Sequence, residues 1–208
     1  MRELLRQDAR SAASGAAREI AEQRNAPRFT VLIRAAKLIS KEGEFLCVIR
    51  DVSESGISVR IFHPLPDSGT MQVELQNGEQ YDVKLIWQDD ERAGFRFAGA
   101  ADVARIIELP SRFAKRSIRL NLDAKAELVG GLQILPATIE DISQQGAKVA
   151  VQQMLYIDQR VKLRANGLRE TEAKVRWRRD GMCGLIFEET FQFGELARIV
   201  RTLQGFDQ

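Results

Sequence analysis

The amino-acid sequence predicts an all-β chain of two tandem small antiparallel barrels, each followed by a short helix. Three observations predict it: the chain repeats itself, apolar residues within each repeat alternate with a period of two, and hairpin turn signals fall between the alternating runs. The segment DVSESGISVRI from Asp51 matches DISQQGAKVAV from Asp141, an offset of 90 residues. The same offset relates KLIWQDDERAGFRF to KVRWRRDGMCGLIF, setting Trp87 against Trp177, Gly94 against Gly184 and Phe97 against Phe187. Upstream, RNAPR at 24–28 pairs with RFAKR at 112–116 at an offset of 88. Ordered anchors at nearly one spacing define two homologous units, 22–109 and 110–208, with residues 1–21 as an extension outside the repeat.

Taken in chain order, residues 1–21 are rich in Ala, Leu, Glu and Arg, which favours an N-terminal helix. In the first unit Ile57, Val59 and Ile61 alternate with Ser58 and Arg60, as a strand with one buried face requires. In the second, Val161 and Leu163 flank Lys162, and Ala173, Val175 and Trp177 alternate with Lys174 and Arg176. Asn77-Gly78 and Asn166-Gly167 fall between such runs and read as hairpin turns. Each unit closes on helical spacing: Val103, Ile106 and Ile107 before Pro110, then Phe193, Leu196, Ala197, Val200 and Leu203. Short antiparallel strands of this spacing close into a barrel, which removes exposed edges.

Composition narrows the function classes. Across 208 residues the chain is 44% apolar and 29% charged, the balance of a folding globular chain rather than a disordered one. Thirty-one basic against twenty-nine acidic residues leave a net charge of +2, without the broad basic footprint of a nucleic-acid binder. With no membrane-length apolar run and no signal-like segment, the chain is read as cytoplasmic. Cys47 and Cys183 lie in strand-like apolar runs and are expected to be buried free thiols. His63, the only histidine, has Gln153 opposite it in the repeat, so no metal site is expected.

Two motifs recur. Arg24 with Arg28, and Arg112 with Arg116, are arginine pairs four apart before the first strand of each unit. The guanidinium fork grips phosphate in a bidentate way and stacks on bases, although loop arginines also serve simply as solvated charge. The second motif is Asp-x-Ser-x-x-Gly: Asp51, Ser53 and Gly56, then Asp141, Ser143 and Gly146. A carboxylate accepts two parallel N–H bonds, which suits guanine's N1–H and exocyclic amine, and glycine lets backbone approach a ligand; Asp and Ser also build ordinary turns. Trp87 and Trp177, in phase with apolar neighbours, are expected in the barrel cores, with base stacking as the alternative.

The combination of RxxxR, [DN]xSxxG and a later tryptophan followed by glycine, twice in one chain and covering about 22–208, resembles the PilZ family of cyclic di-GMP (c-di-GMP) receptor domains. The resemblance implies a six-stranded barrel with a C-terminal helix, and a ligand held between the barrel face and the arginine loop. It implies that Arg24, Arg28, Arg112 and Arg116 contact phosphates and guanine faces. Asp51 and Asp141 would hold guanine edges with Ser53 and Ser143, while Gly56 and Gly146 shape the turn. Gln23 and Ser111 stand where some family members carry a further arginine that goes with a stacked ligand dimer, which tilts the choice between a dimer and a single ligand toward one ligand per domain.

The expected function is therefore binding of this bacterial second messenger and transmission of its level to a downstream protein partner. Ordering of the arginine loop at 111–116, which also joins the units, would reorient the barrels. No His, Cys or carboxylate grouping recurs as a nucleophile–base pair or metal cluster, so an enzyme is not expected, and no cofactor beyond the ligand. The competing readings are a non-binding structural adaptor and a small barrel for single-stranded nucleic acid; near-neutral charge and 7% aromatic content oppose the second.

Overall fold

The computed structural model describes residues 29–67, 69–107 and 117–206. The first unit forms six strands, β1 (Phe29–Ile39), β2 (Glu44–Ser53), β3 (Gly56–Arg60), β4 (Thr70–Leu75), β5 (Gln80–Gln88) and β6 (Arg92–Phe97), then a helix α1 (Val103–Ile107). The second repeats it with β7 (Leu120–Gly130), β8 (Gln133–Ser143), β9 (Gly146–Val151), β10 (Arg160–Ala165), β11 (Leu168–Arg179), β12 (Met182–Phe187) and α2 (Phe193–Leu203). Each unit is a closed antiparallel barrel, ordered β1-β2-β3-β6-β5-β4 and β7-β8-β9-β12-β11-β10. The expected helix at 1–21, the arginines at 24, 28, 112 and 116, and the connection at 108–116 lie outside the described residues.

The alternation read from sequence produces the two cores. Leu38, Cys47, Ile49, Val59, Val73 and Val83 fill the first barrel, and Leu128, Ile139, Val149, Leu163 and Val175 the second, all fully buried. Burying a side chain of this size contributes about 1.5–3 kcal/mol, so each barrel has its own apolar drive to close. Gly78 and Gly167 adopt φ of 86° and 74° in the β4–β5 and β10–β11 hairpins, the left-handed conformation that the Asn-Gly turns demand. Both cysteines are buried free thiols. Burial pushes both thiols up from their ordinary range, so neither is an activated thiolate. His63 is also buried, donating from Nδ1 to the Pro64 carbonyl at 3.0 Å with its ring edge-on to Phe45.

The helices differ in reach. Arg34 of β1 donates to the carbonyls of Ile106 and Ile107, satisfying the end of α1 on its own barrel. Helix α2 buries Leu196, Ala197, Ile199 and Val200 in the second core. It also lies against β2, where Leu46 joins the second barrel's core cluster. Phe206 packs on Phe45 with ring centroids 5.4 Å apart, and Phe193 on Phe62 at 5.6 Å.

Polar contacts lock this junction. Gln204 accepts the Glu44 backbone N–H at 2.8 Å and donates to the Glu44 carbonyl at 3.1 Å. The Glu44 carboxylate accepts both the backbone N–H and the side-chain amide of Asn121 at 2.8 Å. Lys37 sits between Glu44 and Glu74 at 3.0 and 3.3 Å and donates to the Arg119 carbonyl at 3.3 Å. Among the described residues, no helix is long and apolar enough to cross a membrane.

Candidate functional site

The Asp-x-Ser-x-x-Gly motifs form the β2–β3 and β8–β9 hairpins, each with two residues at its tip. Cross-strand register extends each motif into a row over the barrel's outer face. Asp51 pairs with Ser58, Ser58 with Gly94 and Gly94 with Trp87; the second row is Asp141, Lys148, Gly184 and Trp177.

Bulges aim these side chains outward. Ile49 opposes Val59 while Asp51 opposes the next residue, Ser58, so Arg50 is an extra residue that flips the alternation. Ile49 therefore faces the core, fully buried, and Asp51 two residues later does not. Glu140 plays the same part before Asp141.

The tryptophans correct the expectation of a core position. Ile86 and Arg176 are the extra residues of bulges just before them, turning Trp87 and Trp177 out of phase with Val83 and Val175. They are 46% and 41% exposed. Each indole covers the glycine opposite: a Cβ on Gly94 would meet the Trp87 Nε1 at 2.1 Å, and one on Gly184 the Trp177 Nε1 at 1.9 Å. The motif glycines are likewise required by close approach, not by a left-handed turn. A Cβ on Gly56 would meet the Phe95 carbonyl oxygen at 2.4 Å, and one on Gly146 that of Leu185 at 2.1 Å.

The result on the first barrel is a shallow open depression of about 180 Å³ whose lining includes Asp51, Ser53, Ser58, Trp87, Gly94 and Arg96. Ser58 Oγ donates to Asp51 Oδ2 at 2.9 Å. On the second barrel the carboxylate sits between cations, with Arg119 Nη1 donating to Asp141 Oδ1 at 2.7 Å and Lys148 Nζ 3.9 Å from Oδ2. The motif serines are buried, and each hydroxyl donates within its own hairpin, Ser53 to the Gly56 carbonyl at 3.3 Å and Ser143 to that of Gly146 at 3.1 Å. The Ser53 hydroxyl also lies 3.3 Å from that of Ser55.

Arg119 was missed by the sequence motif. Phe29 opposes Val52 and Leu120 opposes Ile142, so the two residues begin their barrels in matching register, and Arg28 and Arg119 immediately precede them. Three residues bulge between Thr30 and Arg34 but only two between Asn121 and Ala124, which changes the offset from 90 to 91 upstream. A one-residue gap between RFTVLIRAAKL and RLNLDAKAEL was the signal that would have found it.

A family model of the PilZ domain matches residues 22–109 and 111–205, and the chain belongs to that family. No curated protein matches it. Among solved structures, the Borreliella burgdorferi PlzA protein in complex with c-di-GMP is similar at 13% identity and a TM-score of 0.35, over 89% of this chain and 97% of that one. YcgR from Escherichia coli in complex with c-di-GMP shows 11% identity and a TM-score of 0.33, over 84% and 85% of the two chains. The K. pneumonia MrkH complex with c-di-GMP shows 13% identity and a TM-score of 0.33, over 84% and 87%.

Proposed function

We propose that the chain is a non-enzymatic c-di-GMP receptor with one ligand site on the outer face of each barrel, and that it passes the messenger level to a protein partner. The observation that carries this reading is the repeated row of Asp, glycine and exposed tryptophan, present in both PilZ-domain repeats. The carboxylates of Asp51 and Asp141 accept the N1–H and exocyclic amine of guanine, a pairing that adenine does not offer. Trp87 and Trp177, each seated on the glycine opposite, present their exposed indoles to the base.

A depression of about 180 Å³ lies below the roughly 300–1,000 Å³ of a self-sufficient ligand pocket, so the barrel face holds about one base. Phosphates and the second base fall to the arginines before each barrel. These are Arg24 and Arg28 in the first site, and Arg112, Arg116 and Arg119 in the second. Gly56 and Gly146 keep the hairpin close to the neighbouring strand, while Ser53 and Ser143 hold it closed.

Signal transmission follows from closure of 111–116 on the ligand at the second barrel, which shifts the orientation of the two barrels. Support comes from the contacts of Arg119 and Asn121. Arg119 reaches Asp141 with its side chain and Lys37 of the first barrel with its carbonyl, and Asn121 is held by Glu44. Calorimetric titration with c-di-GMP, GTP and a single-stranded oligonucleotide tests the reading. Saturable binding of c-di-GMP alone is expected, and binding of the oligonucleotide alone would overturn it.

A further inference from the structure

We infer that Lys148 is a ligand-contacting residue of the second barrel alone and makes the two sites unequal, the second depending more steeply on ionic strength. The inference rests on the c-di-GMP reading and deepens it. Lys148 opposes Asp141 on one side and Gly184 on the other, just as Ser58 opposes Asp51 and Gly94. Both residues sit at the centre of their row, and Ser58 lines the depression of the first barrel.

Among the residues that line the first depression and their counterparts, the other charge differences cancel. Arg96 of the first depression has Ile186 as its counterpart, while Ile86 has Arg176, so one arginine is exchanged for another across the site. Lys148 for Ser58 is the one uncompensated positive charge within that lining. Outside that lining the changes run both ways, Glu54 of the hairpin tip to Gln144 and the bulge residue Arg50 to Glu140.

Without ligand, Arg119 and Lys148 bracket opposite oxygens of Asp141. When a guanine edge occupies both oxygens, Lys148 keeps its charge and loses the free lone pairs it faced. Its side chain is 35% exposed on a flexible four-carbon stem, so Nζ can swing to a phosphate oxygen of the doubly charged ligand. Ser58 carries no charge to do so. An exposed contact of this kind is screened by salt, because the Debye length falls from about 10 Å at 0.1 M to about 3 Å at 1 M.

Calorimetry on the full chain at low and high KCl tests this. Asp51→Ala isolates the second site and Asp141→Ala the first. In the Asp51→Ala background, Lys148→Ser is expected to weaken low-salt binding roughly three- to tenfold and to flatten its salt response. In the Asp141→Ala background, Ser58→Lys is expected to confer that salt response on the first site, a gain that a folding defect cannot mimic. Unchanged affinity and salt response in Lys148→Ser, or no gain in Ser58→Lys, overturns the role of Lys148 while leaving the receptor reading intact. No c-di-GMP binding by the unmodified chain overturns both.

Discussion

Asp51 and Asp141 are turned to the outside of their barrels by a single inserted residue each, and the same device presents Trp87 and Trp177. The carboxylates were legible in the sequence because Asp-x-Ser-x-x-Gly is a local pattern. The tryptophans were not, because a period-two reading assumes an unbroken ladder and a bulge reverses every face after it. Arg119 was obscured in the same way by unequal bulges in β1 and β7. Two glycine substitutions separate the roles assigned here. Gly146→Ala drives a Cβ into the backbone oxygen of Leu185 and should cost about 1–3 kcal/mol, read as a lower melting temperature. Gly184→Ala meets only the movable Trp177 indole, so the barrel should stay folded while tryptophan emission changes. Arg119→Ala, measured by calorimetry in the Asp51→Ala background, should weaken c-di-GMP binding about tenfold or more through loss of a charge-assisted contact; affinity equal to the parent's would remove Arg119 from the site.

At the scale of elements, β2 serves both barrels. Its inward residues fill the first core, its end carries Asp51, and its start holds the second barrel through Glu44 and Leu46. None of this sharing was readable from periodicity, which registers only that alternate residues are apolar. Gln204 and Phe206, which complete the junction, follow α2 at the end of the second repeat. The side chains of Lys37 and Glu44 are 7% and 12% exposed, so removing one leaves the other buried without its nearest charge. Glu74 remains beside Lys37 and moderates the loss. Glu44→Ala should therefore destabilise the chain by about 1–3 kcal/mol in chemical unfolding. It should also loosen the barrels in small-angle scattering, since Asn121 loses both of its acceptors.

For the whole molecule, the repeat made the two-barrel plan legible, and pairwise register then reproduced the same strand order in each half. The relative placement of the halves was not legible, because it depends on polar contacts of individual residues that have no repeat signature. The junction through α2 also bears on transmission: a ligand that closes the connecting segment must act against the Glu44 and Lys37 contacts, or through them. Small-angle scattering with and without saturating c-di-GMP should show a change in the parent chain that Arg116→Ala reduces, and identical profiles at saturation would remove barrel reorientation from the account. A receptor with one site on each barrel binds c-di-GMP at two places, and equilibrium dialysis of the full chain against saturating c-di-GMP counts them. Two ligands per chain are expected, falling to one in Asp51→Ala and one in Asp141→Ala; no bound ligand, or an occupancy that neither substitution lowers, would overturn the two-site receptor.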